Sequence, residues 1–382
     1  MAELNRVVIV GGGVGGLTSA LALKNAGVDV EVHEKYDHLA GRATGFTLWS
    51  YAIKILQGLG LDDPARIGQP IEFTEIHNQK GDLIEELPVG EVSRKLGAPS
   101  CDVRRRDMQK VLIELLGEVT VRMGSEVVAV EQDNGRATVV LGDGERSSGD
   151  LVIGCDGVHS VVRDYVAPHH KLDYSGYGGW GGVLDGFSHD LLKPNRHVEI
   201  WARGSKGGVA DVGAGQTRWY VVEKAPPGAK DEPIDKGKIF EHIDGWYALL
   251  HAAVEAAPDE SIVRTEAWEL EPLDSWVKGR VVLLGDSAHA TTPFASMGAC
   301  MTIQDCDALV GHLTSDDPLD DALAAYQKGR KARDESVVKD SRKMGNLAMM
   351  HSPVATWLRD EAFSHTPPKK AQAIAEAMAQ GE

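Results

Sequence analysis

Residues 6–34 read Arg6-Val-Val-Ile-Val-Gly-Gly-Gly-Val-Gly-Gly-Leu-Thr-Ser-Ala-Leu-Ala-Leu-Lys-Asn-Ala-Gly-Val-Asp-Val-Glu-Val-His-Glu34. The β-branched run Val7, Val8, Ile9 and Val10 leads straight into glycines at 11, 13 and 16, and an apolar helical stretch follows as far as Gly27. A second short apolar run, 28–32, leads to the acidic Glu34. Each part has a physical task. Gly11 permits the tight turn out of the strand, Gly13 lets main chain approach a diphosphate, and Gly16 lets the helix pack closely on the sheet. The helix start offers free N–H groups and the positive end of its dipole. Glu34, eighteen residues beyond Gly16, stands where a carboxylate accepts hydrogen bonds from ribose hydroxyls and disfavours a 2′-phosphate. The stretch predicts a dinucleotide cradle that opens a doubly wound α/β domain.

With 382 residues the chain has length for two or three domains. Its 40 Lys+Arg against 57 Asp+Glu, net −17, argue against nucleic acid or an anionic membrane as partner. No apolar run reaches membrane-spanning length, and the chain enters a strand at once, so a cytoplasmic location is expected. Cys101, Cys155, Cys300 and Cys306 form no C-x-x-C pair or zinc spacing, which predicts reduced thiols and no metal. His169, His170 and His289 have no ligand partners at metal spacing and read as surface or packing residues.

Outward from the cradle, 48–59 and 104–116 carry helical apolar spacing and end at Gly60 and Gly117. Strands are predicted at 71–77 and 82–87 around Gly81. Segments 119–123, 126–132 and 136–141 read as a meander with Asn134-Gly135 at one corner. Leu151-Val-Ile-Gly-Cys155 is a buried strand entering Asp156-Gly157. Residues 171–223 change character: turn residues recur, and 197–203 and 217–223 put Trp and Tyr on alternating sites, as in an antiparallel sheet. Helices near 236–257 and a strand at 261–270 complete that unit. Gly279-Arg-Val-Val-Leu-Leu-Gly-Asp286 then returns to a nucleotide-type strand, with helices predicted at 298–313, 319–348 and 353–363.

Three motifs now stand in order on distant segments: Gly11-x-Gly13-x-x-Gly16, then Asp156-Gly157-Val-His-Ser160-Val-Val-Arg163, then Gly285-Asp286-Ser-Ala-His289 with Pro293 after it. Together they resemble the single-component FAD-dependent aromatic hydroxylases, the class A flavoprotein monooxygenases, and most of all the urate hydroxylase and zeaxanthin epoxidase branch. The resemblance runs from residue 6 to about 360. It implies a Rossmann-like, glutathione-reductase-like FAD-binding domain assembled from 1–70, 98–170 and 271–350. It further implies an inserted antiparallel substrate domain from 71–97 and 171–270, and a C-terminal helical segment, 351–382. FAD is the implied cofactor. NADH or NADPH would visit transiently, since only one cradle is present, and a hydroperoxide on the flavin would carry oxygen from O2 to a small planar aromatic or heteroaromatic molecule.

On this resemblance the FAD contacts are Gly11, Gly13, Val14, Gly15, Gly16, Glu34, Lys35, Arg42, Arg105, Val128, Asp156, Arg163, Asp286, Pro293, Met297, Gly298 and Ala299. Asp286 is assigned to the ribityl hydroxyls and Arg105 to the flavin. Asp156 can pair with Arg163 across one helical turn, and the helix from Gly298 aims its N-terminus at the flavin pyrimidine edge. The substrate wall is assigned to Trp201, Arg203, Trp219, Tyr220 and Trp268, planar or cationic side chains of the sheet. No protein group is named as catalytic, because the cofactor does the chemistry.

Two departures stand out. The chain reads Phe294-Ala-Ser-Met297-Gly298 where many relatives have Gly-Gln-Gly, and Trp180-Gly181-Gly182 where the nearer branch has Trp-Arg-Gly. Competing readings are a flavin-dependent halogenase, whose Trp-x-Trp-x-Ile-Pro stretch is absent, another FAD oxidoreductase, and a flavin-binding sensor or scaffold without turnover. Monomer and homodimer both remain open.

Overall fold

The computed structural model describes residues 4–39, 45–133 and 135–381. Strand Arg6–Val10 pairs in parallel with Asp29–His33 on one side and Leu151–Gly154 on the other. Val7, Val8 and Ile9 have no exposed surface, which is why their run is continuous rather than alternating. The six-stranded sheet runs Val277–Lys278, Val281–Leu283, Leu151–Gly154, Arg6–Val10, Asp29–His33, Thr120–Arg122. Sequence pattern puts 119–123 in the meander. The structure instead sets Thr120–Arg122 parallel to Asp29–His33 at the sheet edge. The segment arrives through the Arg105–Leu116 helix, a crossover connection that yields parallel pairing, and not through a hairpin. The meander proper is Val127–Asp133, Arg136–Leu141 and Arg146–Gly149.

A seven-stranded sheet runs Val263–Leu270, Leu172–Asp185, Gln216–Lys224, Ser205–Gly213, Arg196–Ala202, Phe73–Asn78, Leu83–Leu87. It departs from a purely antiparallel sheet at one junction, where Phe73–Asn78 lies parallel to Arg196–Ala202 because it comes from a distant segment. One face is covered by Lys236–His242 and Ala248–Ala256, the region near 236–257 being two helices separated around Gly245 at φ +70°. Trp180, Trp219, Trp246, Leu249 and Leu250 fill the core between that face and those helices. A further small sheet, Gly45–Leu48, Cys101–Arg104 and Gly68–Pro70, packs against Ser205–Gly213 of the seven-stranded sheet and against helices Arg105–Leu116 and Gly298–Leu313.

Helices Gly298–Leu313 and Leu319–Ala348 have the bounds that their apolar spacing predicts, and Pro353–Ser364 follows. Val89–Leu96 is an addition to the predicted set, whereas Pro368–Gln380 lies in the C-terminal segment expected to be helical, and the two touch each other. The stripe Ala371, Ala375 and Ala379 is buried, and small residues at that spacing let two helices approach closely. Among the described residues no helix is long and apolar enough to cross a membrane.

Candidate active site

The glycine turn is built as its spacing requires. Gly11 has φ +105°, and a Cβ there would stand 2.3 Å from the Cys155 carbonyl oxygen. A Cβ on Gly16 would lie 1.8 Å from the Gly11 carbonyl, so helix and strand meet backbone to backbone. Gly13 is different: nothing lies within 4 Å of the position its Cβ would take. It precedes the Val14–Asn25 helix and no side chain caps that helix, so its first N–H groups face open space, as a diphosphate cradle needs. Glu34 is turned onto this loop, accepting from Gly12 N–H at 2.6 Å and Tyr36 N–H at 3.0 Å. Lys35 lies 5.0 Å from the Tyr36 ring. Val128 is exposed on the first meander strand. Arg42 falls outside the described residues.

The second and third motifs meet the first through buried hydrogen bonds. Asp156 does not bond to Arg163. It accepts from Ser160 Oγ at 2.5 Å and from Val162 N–H at 3.1 Å, and so ties its loop to the Val161–Val166 helix. Burial raises its carboxyl above the ordinary range. Arg163 reaches the other way, donating to the carbonyls of Val158 at 2.7 Å and Ser287 at 3.4 Å, so it fastens the Asp156 loop beside the Asp286 corner. Asp286 itself is exposed toward the cavity.

Beneath that corner lies a cluster the spacing of histidines did not reveal. His289 Nε2 stands 2.6 Å from Asp305 Oδ2, Arg330 Nε donates to Asp305 Oδ1 at 2.7 Å, and Arg330 Nη2 to Asp334 Oδ1 at 2.7 Å. Gly285 N–H donates to the same Asp305 at 3.3 Å. His289 is therefore no isolated packing residue. It shares a buried group with two carboxylates whose ligand atoms all lie within 4.8 Å. Arg330 neutralises those carboxylates and makes the group an ion-pair cluster. Burial is the largest influence on His289 and pushes it down, but Asp305, Asp334 and Asp286 together raise it to about 9. Asp334 moves up through burial and the neighbouring Asp305.

A cavity of about 410 Å³ joins the two large sheets. One wall is residues 13–15, Cys155, Asp286, 291–294 and 296–299; the facing wall holds Gly181, Lys206, Arg218, Tyr220, Val222, Val263 and Thr265; Phe46, Thr47 and Arg105 close an end. The facing wall is charged from below. Asp102, 1% exposed, accepts from Thr47 Oγ1 at 2.8 Å, Arg218 Nη2 at 2.7 Å and His197 Nδ1 at 2.8 Å. Glu199 holds Lys206 Nζ at 2.7 Å and Trp201 Nε1 at 3.0 Å. Burial pushes both carboxyls up, but His197 and Arg218 hold Asp102 below the usual range, as Lys206 and His197 do Glu199. Arg218 Nε is buried without a partner. The Tyr220 ring lies flat over Gly208, where a Cβ would come within 2.6 Å of it, and on the opposite face the Trp219 indole crosses Gly182 in the same way, at 2.8 Å.

Of the residues expected on the substrate wall, the structure brings Tyr220 into the cavity. Trp219 borders it, but strand alternation turns the indole to the other face and into the core. Trp201 faces the cavity side of the sheet yet is sealed off by Phe363, 5.1 Å between ring centroids, with the Arg359 guanidinium 5.4 Å from its ring. Arg203 is exposed in the turn before Ser205–Gly213. Trp268 packs edge-on against His159 and Tyr174 at the sheet edge. Lys206, Arg218, Thr47, Asp102, His197 and Glu199 were missed. Their signal was polar side chains at alternate strand positions, 197 with 199 and 218 with 220, a pattern that places charge on one face.

This architecture is shared with proteins of known activity. The sequence pattern of the FAD binding domain family matches residues 5–341. Aurachin C monooxygenase/isomerase of Stigmatella aurantiaca is 34% identical over 93% of this chain and 92% of its own length. The FAD-dependent urate hydroxylase of Mycolicibacterium vanbaalenii is 30% identical over 92% and 90%. A variant of Klebsiella pneumoniae HpxO solved with FAD superposes with a TM-score of 0.88 at 25% identity, covering 98% of both chains. The open Gly13, the Asp286 corner and the Arg163 brace fit that cofactor, and the chain belongs to the family of FAD-dependent flavoprotein monooxygenases.

Proposed function

We propose that this protein uses NADH or NADPH and O2 to hydroxylate a small planar heteroaromatic molecule lying between the Met297 loop and the Arg218–Tyr220 face of the sheet. The observation that carries this reading is that one cavity is bordered both by the glycine cradle and by two buried cations, Lys206 and Arg218. The same cavity supports a division into a discontinuous FAD-binding unit (1–70, 98–170, 271–350) and a substrate unit (71–97, 171–270). Residues 11–16 would hold the diphosphate, Asp286 the ribityl hydroxyls, and the N-terminus of Gly298–Leu313 would face developing negative charge on the ring system. When bound, FAD supplies the activation of O2. Arg218, Lys206, Tyr220 and Thr47 orient the substrate, and two cations in one wall favour a ring with an acidic edge such as a lactam, enol or carboxylate. Val263, Leu284 and Phe294 keep that space apolar and exclude water.

A substrate screen that follows NAD(P)H consumption by the FAD-loaded protein tests this, with oxygen labelling of the product. The added oxygen is expected from O2; label from water or a chlorinated product would remove the protein from this reaction class. Two variants sharpen the reading. Gly13→Leu fills the open face of the cradle and is expected to weaken FAD binding at least about tenfold, roughly 1.4 kcal/mol, measured by flavin fluorescence. Arg218→Lys keeps the charge on Asp102 but loses the planar fork. It is expected to raise KM by about ten- to a hundredfold, the worth of a charge-assisted hydrogen bond, with FAD content unchanged.

A further inference from the structure

The loop that departs from the family pattern, Phe294-Ala-Ser296-Met297, is held under strain. Ser296 has φ +52° and ψ +33°, a left-handed conformation that costs a non-glycine residue about 1–2 kcal/mol. Trp49 holds it there. Its indole N–H donates to the Ser296 carbonyl at 3.1 Å, and its main-chain N–H donates to Cys300 Sγ at 3.3 Å, so both sides of Met297 are tied to one residue that is itself 2% exposed. Met297 is thereby fixed as the residue before Gly298–Leu313, half-buried, in the same cavity wall as Asp286 and Gly298. Cys155 also borders this space, but burial pushes its thiol well above the usual range, which keeps it from the reactive thiolate form. Met108 and Met301 are buried away from the cavity, and Met344 is 38% exposed on the outer surface.

We propose that Met297 is a self-oxidation site, its thioether taking up the oxygen that the enzyme activates when no substrate is seated. The inference rests on the monooxygenase reading of the cavity. In such a turnover NAD(P)H, a proton and O2 give NAD(P)+ and hydrogen peroxide. The sulfur lone pair then attacks the peroxide. An S–O bond forms, the O–O bond breaks, sulfur loses two electrons, and the second oxygen leaves as water. The sulfoxide replaces an apolar, polarisable group with a polar acceptor beside the free N–H groups of a helix start. The wall facing the substrate becomes polar, activity falls while substrate is scarce, and a sulfoxide reductase would restore it.

The test uses the FAD-loaded protein, its flavin content measured first so that a missing cofactor is recognised as failure of the functional reading itself. The bound flavin is reduced anaerobically with stoichiometric dithionite and mixed with aerated buffer containing catalase. After several cycles the peptides are mapped by mass spectrometry. Met297 is expected to gain one oxygen atom several-fold faster than Met344. Hydrogen peroxide added to the oxidised protein without catalase is expected to reverse that order, and Met297→Leu to abolish the modification at this site. Met297 left unmodified, or oxidised no faster than Met344 with catalase present, would overturn the proposal.

Discussion

Replacing Asp305 by Asn is expected to cost about 3–5 kcal/mol, the range for breaking a buried ion pair, and to loosen FAD, while Asp334→Asn is expected to cost less than about 1 kcal/mol. The two carboxylates look alike in sequence and both are fully buried. They differ in what they hold. Asp305 accepts from His289, Arg330 and the Gly285 main chain at once, so its loss takes the near carboxylate from His289, leaves Arg330 with Asp334 alone and frees the corner that carries Asp286. Asp334 is raised by burial and by Asp305, and its bond to Arg330 at 2.7 Å can be kept by an amide oxygen. At 2–4 °C per kcal/mol, Asp305→Asn should lower Tm by roughly 6–20 °C. Equal effects of the two substitutions would sink this assignment of roles.

The same cluster sets a pH dependence. His289 titrates near 6.5 when unfolded and about 9 when folded. The folded state therefore binds the extra proton, and the stability this confers is complete below pH 6.5 and lost as pH rises toward 9. Asp334, also raised, acts with the same sign. Tm of the FAD-loaded protein should fall across that window, and His289→Gln should flatten the fall. A wild-type Tm that stays level between pH 6.5 and 9 would refute it.

Asp102→Asn is the second large effect, again about 3–5 kcal/mol, but with a different signature. Asp102 lies under the charged wall, bonded to Thr47, His197 and Arg218, away from the glycine cradle. The variant should fold less stably and bind substrate far more weakly, because Arg218 loses the partner that aims it, yet the protein that folds should still carry FAD. Since His197 and Arg218 hold Asp102 below the usual carboxylate range, its contribution is present above the ordinary Asp pKa and disappears on acidification. Thermal melts, flavin content and KM measured together separate this case from Asp305→Asn, where flavin is lost as well.

The cofactor half of the molecule was legible because local chemistry dictates it. A glycine turn between strand and helix, a strand ending in Gly-Asp and two long amphipathic helices each announce themselves within a few residues. The substrate wall was legible only in part. Alternation shows that Trp201, Trp219 and Tyr220 lie on strands, but not which face the next layer covers. Phe363, from a helix beyond residue 350, seals Trp201, and register with Gly182 sends the Trp219 indole to the far side. The His289 cluster was hidden for a similar reason: its members are joined by the packing of three helices, and no spacing along the chain brings 289, 305, 330 and 334 together. The parallel placing of Thr120–Arg122 likewise depends on how the chain arrives there, not on what the segment contains.

The aromatic rings that lie flat over Gly208 and Gly182 have a consequence for how this enzyme could change its diet. Where side chains stand upright, a pocket is reshaped by trimming them. Here the partition between the core and the cavity is one main chain thick, and its vacant positions are glycines in ordinary extended conformation. Alteration would proceed by addition: a methyl group at 208 would tip the Tyr220 ring into the cavity, and a longer group at 181 would narrow it from the other side. A lineage carrying this sheet can thus restrict what it accepts one atom at a time, without disturbing the cofactor, and can widen again by reverting to glycine.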